Sequence, residues 1–271
     1  LHKLLCCHYT IAAILLLHFI MKIKKINISV NCELRNFPIL SFQSDCRNDN
    51  KREFRNLKNV YYIGATLLAV TSFFVTTSLS FAAPVIFVPF TSQAPLGSWA
   101  QPWQDFCEEA SVVMAAHFIW GVPLTPKLAE TEMQIIKQYE EIVFKRYKDT
   151  STAETGAILT YLFGFKNISV RGINTALDIK EELERGSIVI APVAGRLLKN
   201  PYFTAPGPLY HMLVIRGFDD NKNTFITNDP GTRRGNGLAY NQELLLAAIH
   251  DWNGGDVMNG EKKIVAVGRQ K

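Results

Sequence analysis

Cysteine is scarce in this chain and unevenly spread. Of 271 residues five are Cys, and Cys6, Cys7, Cys32 and Cys46 all precede residue 58. Cys107 stands alone in the remainder, so that part cannot close an internal disulfide. A single Cys there is either a buried small residue or a reactive thiol. There is no CxxC pair and no HExxH, which removes the usual supports for a structural zinc or a zincin centre. No metal and no cofactor are expected. Surplus positive charge is also missing from the body of the chain. Residues 1–58 carry 10 Lys and Arg against 4 Asp and Glu, whereas residues 59–271 carry 19 against 20. A nucleic-acid surface needs clustered basic residues on the folded domain, and this body does not supply them. What is present is an ordinary globular composition, 48% hydrophobic and 20% charged, which excludes collagen-like and wholly disordered chains.

The N-terminal third divides in two. Residues 60–82 run 23 positions without a charge, after Lys51, Arg52, Arg55 and Lys58 and before Ser80-Phe81-Ala82-Ala83-Pro84. A basic flank, an apolar run and a small-residue site make the layout of a secretory signal. The run is also long enough to span a bilayer, and the positive charge before it puts the C-terminal side outside. Residues 59–83 are therefore expected to be a signal peptide or membrane anchor, with the rest extracytoplasmic, secreted or membrane-attached. Residues 1–58 contain another apolar stretch, residues 4–20, ahead of Met21. Either they add a second span, or the reading frame extends upstream of a start near Leu57.

Residues 84–271 read as one α+β domain. Residues 106–120 carry Phe106, Ala110, Val113, Met114 and Phe118 on one helical face, stopped by Gly121 and Pro123. Asp105 and Glu108 have the spacing of a capping box around its start. Further helices are expected over about 126–146, 153–163, 177–184 and 242–252. Strand signal lies in 168–173, 187–193, 211–218, 223–228 and 263–267. Helices first and an antiparallel sheet second indicate α+β.

Cys107 falls in the first turn of its helix, where unpaired N–H groups and the helix dipole favour a thiolate. Glu108 and Glu109 oppose this, because negative neighbours raise a thiol pKa. A turn at residues 219–222 would pair Phe218 with Asn223 and bring His211 opposite Pro230, one step from Asp229. A His beside an Asp suits a base and the residue that orients it, and a Cys facing that base is the arrangement of nucleophilic catalysis. His211 ending a strand and Asn228-Asp229-Pro230-Gly231 making a turn would explain the same residues without chemistry. His117 reads as a packing or surface residue, His250 as a helix C-terminal residue, and Asp219-Asp220 as a solvated turn lacking the ligands of a calcium loop. Arg233-Arg234 could meet an acidic substrate or solvate a loop. Trp99 and Trp103 could line a groove or be buried.

Four motifs in order, VPFTSQAP, CEEASVVMAAHF, YHMLVIRGFDD and NDPGTRRG, resemble the bacterial peptidase-like domains related to family thirty-nine of the cysteine peptidases. These are papain-like relatives of the peptidases that trim double-glycine leaders from bacteriocins. The resemblance spans roughly Val85 to the C-terminus. It implies a papain-like fold, a peptide or protein substrate, Cys107 as nucleophile, His211 as general base and acid, and Asp229 as its orienting residue. It also implies an oxyanion-stabilising Gln. Gln93 stands in the family's VPFTSQ context and is preferred, while Gln101 lies six residues before Cys107, the spacing of papain-like enzymes. Many relatives have Gly-Pro where this chain has Glu108-Glu109, which should make the mouth of the site more acidic. No transporter segment is read after the domain, so leader trimming is not expected. A catalytically silent module binding peptides or cell-wall material, and a cell-wall amidase or transpeptidase with the same triad, are the other readings of these residues.

Overall fold

The computed structural model describes residues 85–269. The expected extension, 1–58, and the expected signal or anchor, 59–83, lie outside the described residues. Among the described residues no helix is long and apolar enough to cross a membrane.

Helix α1 spans Cys107–Trp120, α2 Pro126–Val143 and α3 Thr152–Ala157, the last continuing into a π-helical turn at Ile158–Leu162. Strand β1 (Ile168–Gly172), helix α4 (Ala176–Glu184) and strand β2 (Ile188–Val193) come next. Then come β3 (His211–Asp219), β4 (Thr224–Asn228), β5 (Asn236–Asn241), α5 (Gln242–Ala248) and β6 (Lys263–Val267). The six strands form one sheet in the order β1-β6-β2-β3-β4-β5, every pairing antiparallel.

Period-two alternation builds the core on both faces of that sheet. Ile188 and Ile190 of β2, with Met212 and Val214 of β3, pack with α1 residues such as Val113, Met114 and Phe118. Their neighbours Val189, Ala191, Leu213 and Ile215 turn the other way, onto Ile179 and Leu183 of α4 and Leu245 and Ala248 of α5. The two central strands are buried along most of their length, as a strand covered on both sides requires. The fold is α+β as expected, with helices on both faces of the sheet.

Local signals decide several boundaries. Thr125 caps α2 by accepting the Leu128 N–H at 3.3 Å, and Pro126 occupies the first helical position, where its missing N–H costs nothing. Ser151 and Glu154 form a reciprocal capping box at α3. Helix α5 stops at Ala248, short of the expected residue 252, because Ile249 leaves the helix to bridge Val193. Residues 86–90 form no strand of the sheet. They run alongside it, with Ile86 N–H donating to the Arg216 carbonyl at 2.8 Å and Asn228 Nδ2 to the Val88 carbonyl at 3.1 Å.

Two expectations for α1 fail. The Asp105/Glu108 capping box does not form: the cap position is Phe106, with no side-chain cap bond. Asp105 instead pairs with Lys148, and the Glu108 carboxyl turns to the Cys107 thiol. The helix is also buried on every side from Cys107 to Phe118, whereas the sequence suggested a single apolar face. Ala110, Ser111, Ala115 and Ala116 are small enough for close packing all round.

Candidate active site

Cys107, His211 and Gln93 line one cleft of about 790 Å³, opened between the start of α1, the lead into β3 and the loop after β4. Helix α1, which begins at Cys107, packs on β3, which begins at His211, and both residues line the cleft. The hairpin register differs from the sequence expectation. The turn occupies residues 220–223, with Asn223 at a φ of 52°. Phe218 pairs with Phe225, and a bulge at Ile215–Gly217 shifts the remainder of the ladder. Despite that slip, His211 Nε2 lies 2.8 Å from Asp229 Oδ1.

Asp229 is fully buried and saturated with donors. Besides His211, the Gly231 N–H donates to Oδ1 at 2.9 Å, and Oδ2 accepts from Tyr240 Oη at 2.5 Å and Asn200 Nδ2 at 3.0 Å. Burial by itself would raise this carboxyl. The neighbouring His211 and the donors around it more than compensate and hold it below the ordinary carboxylate range. Phe203 packs edge-on to the imidazole at 5.3 Å, fixing its tilt. Sequence reading missed Asn200 and Tyr240. Asn200 lies in a loop with no periodicity, and Tyr240 on an edge strand whose polar sequence carries little strand signal.

The thiol is in a different state from the one the helix N-terminus predicted. Cys107 Sγ–H donates to Glu108 Oε2 at 3.0 Å. Burial, followed by the Glu108 charge, pushes the thiol well above its ordinary value, with the Met212 backbone N–H opposing. Desolvation outweighs the dipole here. Glu108 itself is pushed up to about 8, chiefly by burial. Glu109 is fully buried, away from the cleft lining. The acidity expected at the mouth from these two glutamates is therefore reduced, because Glu109 lies away from the cleft and burial raises both carboxyls toward their neutral form. Glu109 faces Glu140 of α2, both carboxyls are raised, Glu140 to about 9, and none of their four oxygens finds a donor among the described residues. With both carboxyls raised, a proton on either one supplies a donor for the other.

Gln93 and Gln101 separate clearly. Gln93 is buried in the cleft wall, whereas Gln101 accepts from Tyr147 at 3.3 Å in an exposed contact. Gln93 Nε2 donates to the carbonyls of Trp103 and Gln104, at 3.1 and 2.7 Å, leaving Oε1 unpartnered. Its amide protons thus brace the turn that leads into α1. The cap residue of α1, Phe106, makes no side-chain hydrogen bond to the first backbone N–H groups of the helix.

The other candidates resolve into structural roles. His117 bonds Glu132 through Nε2 at 3.0 Å and ties the end of α1 to α2. His250 Nδ1 meets the Gly260 carbonyl at 3.0 Å. Asp219 accepts from the Lys222 N–H and Asp220 from Lys180. Among the described residues no His, Cys, Asp and Glu cluster has the form of a metal site. Arg233 reaches the Gly97 carbonyl at 3.1 Å, Arg234 stacks over Tyr202, and both border the cleft. Trp99 also borders it, while Trp103 packs on Phe106 instead. Trp252, not anticipated from sequence, is a further cleft residue.

A model of the Peptidase_C39 like family matches residues 85–253. No curated protein matches the chain. A solved structure from Bacillus anthracis, that of a candidate C39-like peptidase, aligns at a TM-score of 0.46 and 14% identity, over 71% of this chain and 100% of that one.

Proposed function

Because the chain belongs to the Peptidase C39-like family, we propose that it is a cysteine peptidase cutting peptide bonds through Cys107, His211 and Asp229. The observation that carries this reading is His211, held by the buried Asp229, bordering the same cleft as the chain's one thiol beyond residue 58. With Nε2 held by Asp229, Nδ1 is the ring nitrogen left to take the thiol proton. Cys107 Sγ then attacks the carbonyl carbon, the electron pair moves to oxygen, and the backbone N–H of Cys107 donates to that oxyanion. Gln93, the oxyanion candidate of the family, contributes by bracing the carbonyls of Trp103 and Gln104 unless substrate draws its amide inward. The imidazolium returns its proton to the leaving amine, a thioester remains, and water activated by His211 releases the acid and restores the thiol.

The test is cleavage of a peptide library by the purified full chain. Wild type should cut, and Cys107→Ala and His211→Ala should each lose the activity. Cutting that survives Cys107→Ala would end the peptidase reading. A second reading, a silent peptide-binding module, is favoured by one observation, the thiol's hydrogen bond to Glu108. It requires slow alkylation of Cys107 at pH 6, where an enzyme thiolate would react quickly. We also propose that the domain is exported, with residues 60–82 as signal or anchor. Cell fractionation and N-terminal sequencing check this, and recovery of uncut chain from the cytoplasm alone would refute it.

A further inference from the structure

Glu108 touches the nucleophile candidate directly and is not part of the triad. Its carboxyl lies 3.0 Å from Cys107 Sγ, is 2% exposed, and borders the cleft. The groups around it are acids or neutral. On α1 these are Cys107 and Glu109, and Glu140 lies behind Glu109 on α2. After α2 come Asp149 and the Thr150 backbone N–H, which bonds the carboxyl, and before β3 comes Tyr210. The cations that act on neighbouring Asp149 are paired with other acids, Arg146 with Glu154 and Lys148 with Asp105. Among the described ion pairs none involves Glu108. A buried carboxyl with acids for neighbours and no cation takes up a proton.

We propose that Glu108 is a positioning residue that sets the state of the nucleophile: as a neutral acid it donates its O–H to the Cys107 thiolate, and as a carboxylate it can only accept, holding Cys107 as a thiol. The proposal rests on the reading of Cys107 as a nucleophile. The proton balance is simple. His211 receives the proton from Sγ, Glu108 keeps its own, and the hydrogen bond between Sγ and Oε2 reverses direction. Once Glu108 has lost its proton, that reversal is impossible, and a thiolate would face a carboxylate across 3.0 Å in a desolvated site. Glu108 titrates near 8, so the site is switched off on the alkaline side. An ordinary thiol behaves in the opposite way and gains reactivity as pH rises.

The experiment is the iodoacetamide alkylation rate of Cys107 in the full chain from pH 5 to 10, read by mass spectrometry of its peptide. Cys6, Cys7, Cys32 and Cys46 serve as internal comparison. Wild-type reactivity at Cys107 should fall roughly tenfold between pH 7 and 9, following one group that titrates near 8. In Glu108→Gln the fall should vanish, since the amide remains a donor at every pH, and Glu108→Ala should already be slow at pH 7. A wild-type rate that climbs steadily with pH overturns the proposal without any variant, and so does a Gln variant that keeps the fall. Failure here and failure of the peptidase reading are distinguishable. Peptide cleavage lost in Cys107→Ala together with a steadily rising alkylation profile would leave the peptidase and remove the Glu108 switch.

Discussion

His211 gives its Nε2 to Asp229 Oδ1 at 2.8 Å, and the imidazole therefore has one nitrogen, Nδ1, left for a thiol. The carboxylate fixes which nitrogen carries the proton and which accepts one. Asp229→Asn should retain the fold, because the amide can still accept through one atom. It should lower kcat/KM on a peptide substrate by about 100-fold, within the range for general acid–base groups. Steady-state kinetics decide it, and an unchanged kcat/KM would remove Asp229 from the mechanism.

Tyr240 donates to the other oxygen of Asp229 at 2.5 Å. A hydrogen bond to a buried charge contributes about 1.5–3 kcal/mol, so Tyr240→Phe should lower Tm by about 5 °C at neutral pH. The pH dependence has a definite sign. The folded Asp229 pKa is depressed, so its contribution is present above the ordinary carboxylate value and is lost as pH falls through the folded one. Wild-type and variant melting curves should differ most at pH 6–7 and converge on the acid side of the ordinary carboxylate value, as Asp229 takes up its proton. A constant gap across that range would mean that Tyr240 acts through packing alone.

The Glu109–Glu140 pair predicts the reverse slope. Both carboxyls titrate above their ordinary value, Glu140 near 9. The folded state is therefore favoured while both hold protons, and it loses stability as pH rises from about 4.5 toward 9. The slope is at most about 1.4 kcal/mol per pH unit for each group. Glu140→Gln should flatten the alkaline decline of Tm, since the amide can donate to Glu109 at any pH. An equally steep decline in the variant would assign it to other groups.

Gly235 gives a steric prediction. A Cβ placed there would fall on the Asp229 carbonyl, and backbone cannot move aside as a flexible side chain can. The same loop is closed by the Asp229 N–H donating to the Gly235 carbonyl at 3.0 Å. Gly235→Ala should destabilise the domain by about 3 kcal/mol, the upper part of the range for single substitutions. It should also reduce activity more than Gly121→Ala does, where a Cβ meets nothing within 4 Å. Gly121 has a φ of 69°, so that control carries about 1 kcal/mol of backbone strain without touching the site. Thermal melts of the two variants side by side provide the measurement.

Much of this architecture could be read from periodicity. The alternation in β2 and β3, the Thr125-Pro126 start of α2 and the bounds of β6 all obey local rules. The approach of His211 to Asp229 was legible from the hairpin, although the turn sits one residue later than its spacing suggests and nothing local announces the bulge at Ile215–Gly217. Strand β5 was not legible, because Asn236-Gly237-Leu238-Ala239-Tyr240-Asn241 is an edge strand built mostly of polar and small residues. The state of the thiol was the hardest feature to read. A helix start predicts a lowered pKa, and only the packing of α1 reveals that Cys107 and Glu108 are both desolvated. Local propensity proposed the cap, and tertiary burial claimed the same side chains for other partners.

The segment ahead of the cleft is laced to the sheet at several points: Ile86 to Arg216, Val88 to Asn228, Gln93 to Pro230 and Gly97 to Arg233. Two of these stitches fall on the immediate neighbours of Asp229. In mechanical terms the chain enters the domain along a load path that runs beside Asp229. A pull on Val85 loads the Ile86–Arg216 tie to β3 first and then Val88–Asn228 and Gln93–Pro230, so tension on this segment reaches both chain neighbours of Asp229 and, through them, the partner of His211.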